Sequence, residues 1–105
     1  MNFKELGDRL GLEEDEYREL IDLFIETGGA DFQKLQNALS VSDVEVVRRS
    51  AHTIKGASGN LGLHDLSAVA SSIEMSAEKN QLEGLQPAVE KLKGHFESIE
   101  NFARG

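Results

Sequence analysis

The residues able to do chemistry cluster in one short stretch. His52 follows Arg48 and Arg49 and precedes Lys55, and Gly56 and Gly59 come next on the same segment. A neutral imidazole nitrogen near pH 7 is a competent nucleophile. Lysine is a point charge suited to phosphate oxygens. Two glycines in a helix cost about 1 kcal/mol each relative to alanine. Their place beside a histidine suggests a use, and steric clearance for another protein's surface is one. Nucleophile, cation and clearance together point to acceptance of a phosphoryl group from a partner.

Other chemistries find little support. With no Cys, disulfides and thiolate metal sites are excluded. The three histidines, His52, His64 and His95, are not at i, i+4 spacing, and no H-E-x-x-H pair occurs, so no metal site is expected. No glycine-rich phosphate loop follows a strand, and nothing resembles a nucleophile elbow. A net charge of −8 repels nucleic acid and anionic lipid, and no basic patch of the required size offsets it. No apolar run reaches the ~18 residues of a membrane span, and MNFKELGDRL has no apolar signal region. The expectation is a cytoplasmic protein that binds neither nucleic acid nor membrane.

The elements that must position His52 read as helices. A single Pro and the lack of alternating patterns argue against sheet. Asn2 and Glu5 resemble a capping box that opens a short helix stopping near Gly11. Acids at 13–15 precede a stripe of Tyr17, Leu20, Ile21 and Phe24, and Gly28-Gly29 is expected to end or bend that helix. Asp31 then opens a shorter helix with Phe32, Leu35 and Leu39. Ser42 and Glu45 suggest a second capping box. The seam Val44, Val47, Ala51, Ile54, Ser58, Leu61 follows, stopped by Asn60-Leu61-Gly62. Leu63, Leu66, Ala70, Ile73 and Ala77 repeat the spacing to about Lys79-Asn80. The longest seam runs through Leu82, Leu85, Val89, Leu92, Phe96, Ile99 and Ala103, with Pro87 in its first turns.

Long amphipathic helices with short connections pack antiparallel. The expected fold is all-α: an antiparallel four-helix bundle with a short N-terminal helix added, in one domain over 1–105. At ~100° per residue, His52 points roughly 115° from the middle of its seam and should face solvent, with Arg48 one turn before it on the same side. No acid lies between Val46 and Leu63, so the cations form a positive island on an acidic chain. His64 reads as a helix-start residue and His95 as a boundary residue. Met75 and the phenylalanines read as packing groups. Gly94 has no evident use.

The string AHTIKGASGNLG, residues 51–62, resembles the motif of histidine-phosphotransfer (HPt) domains, in which a phosphorylatable His precedes x-x-K-G and further small residues. The resemblance implies a phosphocarrier of two-component phosphorelays without kinase activity of its own. His52 would take a phosphoryl group from the aspartyl phosphate of a response-regulator receiver domain and pass it to another. Lys55 would steady the phosphoryl oxygens, with Arg48 added from geometry. Gly56 would keep the surface open, and Gly59 and Gly62 would serve close approach and helix termination. Ala57 and Leu63 are candidate docking residues. Receiver domains and a hybrid histidine kinase would be the partners. The receiver would supply its own Mg²⁺, so no cofactor is expected here, and the carrier would act as a monomer. Two rivals stand beside this: the phosphoacceptor domain of a chemotaxis-type histidine kinase, and a helical adaptor that binds receivers without phosphotransfer.

Overall fold

The computed structural model describes residues 2–105, and these form five helices: α1 Phe3–Arg9, α2 Glu14–Ser40, α3 Val44–Asn60, α4 His64–Glu78 and α5 Gln86–Arg104. No strand occurs among the described residues. The helices pack in a ring, α2 on α3, α3 on α4, α4 on α5 and α5 on α2, while α1 lies on α2. Among the described residues, no helix is long and apolar enough to cross a membrane.

The helix starts follow from local chemistry. The Asn2 side chain accepts a hydrogen bond from the Glu5 amide at 3.0 Å, as a cap should. Phe3 is buried against the rings of Tyr17 and Phe102, with the Arg18 guanidinium 5.0 Å above its centroid. The cap of α3 is Asp43, whose carboxylate accepts from the Val46 amide. This corrects the reading of Ser42 as cap. Ser42 sits at φ 56°, inside the turn, so the helix begins one residue later. Pro87 stands at the start of α5, where its missing amide leaves no helical bond unmade.

The Gly28-Gly29 pair does not end α2, which runs unbroken through both residues. The reason is tertiary. A Cβ at Gly28 would lie 3.0 Å from Cε1 of Phe96, so the missing side chain makes room for that ring. Phe96 stacks on Phe24 at 5.4 Å between centroids and also meets Phe32. Burying an aromatic of this size is worth several times the propensity loss of one glycine. Helix periodicity therefore continues through Leu35 and Ala38, both buried.

The core is the set of seams expected from spacing. Val47, Ala51, Ile54, Ser58, Leu61, Leu66, Ala70, Ile73, Ala77, Val89, Leu92 and Ile99 are all buried. Two readings change. Leu20 is exposed and only its neighbours Tyr17, Ile21 and Phe24 face inward, and Met75 lies on the surface rather than in the core. The buried hydroxyls are satisfied: Ser58 donates to the Ile54 carbonyl at 2.6 Å, and Tyr17 donates to the Leu61 carbonyl at 2.5 Å. Burial pushes the Tyr17 phenol up from its ordinary value. Gly62 turns the chain from α3 to α4 at φ 78°, a conformation that favours glycine.

Gly29 and Gly94 are helical, with open space where a Cβ would stand. Gly29→Ala and Gly94→Ala should each stabilise the protein by about 0.5–1 kcal/mol in denaturant titrations. Gly28→Ala, which crowds Phe96, should destabilise it by about 1–3 kcal/mol.

Candidate functional site

The α3–α4 pair carries the site. Small groups let these helices approach: Ala51 and Ser58 on α3, Ala70 and Ala77 on α4, all buried. Ser67 on α4 donates its hydroxyl to the Lys55 carbonyl at 3.0 Å, tying the two backbones together beside His52. Gly59 belongs to this crossing. A Cβ there would stand 3.4 Å from Ser67 Oγ, an ordinary contact, so Gly59 lies half-buried at the edge of the crossing. Gly56 differs: it is exposed, and nothing lies within 4 Å of where its Cβ would be.

His52 faces solvent, its side chain 63% exposed. Beneath it lies a residue that the sequence reading missed. Glu74 of α4 is buried, its side chain only 6% exposed, and Oε2 stands 2.6 Å from His52 Nδ1. Its other oxygen, Oε1, accepts from Lys55 Nζ. Burial alone would raise the Glu74 carboxyl, but the hydrogen bonds from Lys55 and His52 outweigh it and hold the group below the usual carboxylate range. Glu74 is therefore ionised at neutral pH and can only accept. Nδ1 must carry the proton of the neutral ring, and the lone pair falls on Nε2. This is the tautomer that a nucleophilic Nε2 requires.

The cations stand differently from the island expected. In space the stretch is not free of acids, because α4 inserts Glu74 between His52 and Lys55. Lys55 is half-buried and held on that carboxylate. Arg48 forms a fork with Glu45 of its own helix, Nη2 to Oε1 at 2.5 Å and Nε to Oε2 at 3.2 Å. The helix periodicity of α4 held a signal for Glu74. It falls four residues after Ala70 and three before Ala77, on the apolar stripe, where an acid needs a partner.

The remaining candidates divide. Ala57 is half-buried and packs against the core. Leu63 is buried at 5% exposure, which corrects its reading as an exposed docking residue: it precedes α4 and turns inward with Leu61 and Leu66. His64 and His95 lie elsewhere, lining a cleft of about 460 Å³ between α1, the start of α4 and α5. Among the described residues, no group of three or more His, Cys, Asp or Glu could hold a metal ion.

The family model "Hpt domain" matches residues 19–102. No curated protein matches the chain. Among solved structures, the chain is similar to histidine-containing phosphotransfer protein B (HptB) from Pseudomonas aeruginosa PAO1. The TM-score is 0.86 at 26% identity, covering 99% of this chain and 90% of that one.

Two outcomes follow for Glu74. ¹⁵N spectra at neutral pH should show His52 protonated at Nδ1, and Glu74→Ala should remove that preference. Glu74→Gln should lower stability by about 1.5–3 kcal/mol at neutral pH, the usual worth of hydrogen bonds to a charged group. Because the folded carboxyl is held down, its contribution is present above the ordinary carboxylate range and lost in acid. The gap between wild type and Glu74→Gln should therefore narrow as pH falls through and below that range.

Proposed function

The chain belongs to the Hpt domain family and is a histidine phosphotransfer protein of two-component signalling; within that role, we propose that His52 is the residue that carries the phosphoryl group. The observation carrying this reading is the exposed imidazole whose Nδ1 is held by a buried carboxylate, leaving Nε2 as the outward nucleophile. The fold supports it. We read the helix ring as an antiparallel four-helix bundle with α1 added, one domain over 1–105, and the bundle serves to hold one edge rigid.

The proposed step is in-line displacement at phosphorus. The Nε2 lone pair of His52 attacks the aspartyl phosphate of a partner receiver domain. The N–P bond forms as the bond between phosphorus and the aspartate oxygen breaks, and the aspartate keeps that electron pair as carboxylate. The Nδ1 proton stays on the ring, hydrogen-bonded to Glu74. The second transfer runs the same step backward, onto the aspartate of another receiver. Lys55 contributes positive charge from its place beside Glu74, and Arg48 from one turn away. Gly56 leaves the approach to the ring open.

In this proposal the partners are receiver domains, including that of a hybrid histidine kinase, and they bring their own aspartate and Mg²⁺. The chain is a phosphocarrier rather than a kinase. It acts as a monomer in the cytoplasm.

His52→Gln should abolish acceptance of phosphoryl groups from a phosphorylated receiver while leaving the helical circular-dichroism signal intact. Unchanged labelling of that variant would refute the assignment. Gly56→Ala separates clearance from folding. It meets no internal atom, so it should raise stability by about 0.5–1 kcal/mol. Transfer from the receiver should nevertheless fall at least severalfold.

A further inference from the structure

The two cations near His52 are held by carboxylates of opposite character. Lys55 is bonded to Glu74, which is buried, whereas Arg48 is forked onto Glu45, which is 61% exposed. The difference decides which cation can leave its partner. Removing Lys55 would strip a buried carboxylate of a charged donor, a loss that water does not make good. Removing Arg48 returns Glu45 to solvent, and an exposed ion pair of this kind is worth little.

Arg48 is also well placed to go. It stands one turn before His52, so the two side chains share a face of α3. Its side chain is partly buried, and the face it shares with His52 is the one that meets Glu74 of α4. Arg49 reaches the same Glu45 carboxylate at longer range but faces α2. It is exposed, lies 3.8 Å from Glu45 and lines a shallow surface with Asp31 and Lys34 of α2.

We propose that Glu45 and Arg48 form a latch, in which Glu45 holds the guanidinium in the resting protein and Arg48 exchanges onto the phosphoryl oxygens once His52 is phosphorylated. A phosphoryl group brings nearly two negative charges and three acceptor oxygens one turn away, and the planar guanidinium can grip two of those oxygens at once. Glu45 competes for the same donors, so it sets how strongly the phosphorylated form is favoured. The latch rests on the reading of His52 as phosphoryl carrier and adds a positioning residue, Glu45, that never touches the reacting atoms.

The test uses phosphoramidate as the donor, with the full chain. Nε2 attacks phosphorus, the N–P bond to ammonia breaks, and ammonia leaves with the electron pair. The equilibrium constant is read by ³¹P NMR at fixed ammonia. Glu45→Gln should raise it about 2- to 5-fold, the worth of an exposed ion pair. Arg48→Gln should lower it about tenfold or more, and the double variant should match Arg48→Gln alone. Arg49→Gln should leave it unchanged. Loss of the acid from the first turn of α3 can shift the melting temperature of Glu45→Gln, but by itself does not move this constant. If wild type is labelled at His52 while Glu45→Gln and Arg48→Gln both behave as wild type, the fork is a plain intrahelical ion pair and the latch is wrong. If wild type takes no phosphoryl group at His52, the carrier reading fails and the latch falls with it.

Discussion

One buried carboxylate organises this molecule's chemistry. Glu74 lies between α3 and α4 with one oxygen on His52 and the other on Lys55. An ionised group so placed would be destabilising without both partners. With them it does two things at once. It anchors the seam between two helices, and it decides which imidazole nitrogen is protonated. The exposed ring is thus governed from below by a group that solvent hardly reaches.

The rest of the fold makes that placement possible. A carboxylate from α4 reaches a histidine on α3 only if the two helices run close, and close packing needs small residues where they cross. Ala51, Ser58, Gly59, Ser67, Ala70 and Ala77 supply them. The larger groups collect elsewhere. Phe24, Phe32 and Phe96 fill the side where α2 meets α5, and Phe3, Tyr17 and Phe102 close the end near α1. Bulk is concentrated away from the reactive edge, which is built from short side chains.

What could be read from the chain follows the range of the forces involved. The seams through Val47, Ala51, Ile54 and Ser58, or Val89, Leu92, Phe96 and Ile99, are local patterns, and their period places them in the core directly. His52 was legible for the same reason, as a residue off its own seam. The place of Glu74 on the apolar stripe of α4 was legible too, but its pairing was not, because its partners stand 22 and 19 residues earlier and meet it only once α4 is docked. Reading Met75 inward follows from hydrophobicity alone, which ignores what its neighbour Glu74 gains from a histidine and a lysine. Gly28-Gly29 failed in the same way. Local propensity forecast a break, but the ring of Phe96 on a distant helix uses the space. Ser42 was a smaller miss, one residue off a true cap at Asp43. Leu63 shows that the residue before a helix can turn inward as readily as those within it.

The Lys55 residue is fastened to the neighbouring helix at both ends: its carbonyl accepts the Ser67 hydroxyl and its ammonium meets Glu74. Ser67 and Glu74 are seven residues apart on α4, two turns of one rod. Sliding α4 along α3 would pull both fastenings the same way, and the imidazole held by Glu74 would travel with them. The α3–α4 edge around His52 is therefore held stiff. In the proposed transfer, a docking receiver would thus meet a preformed surface.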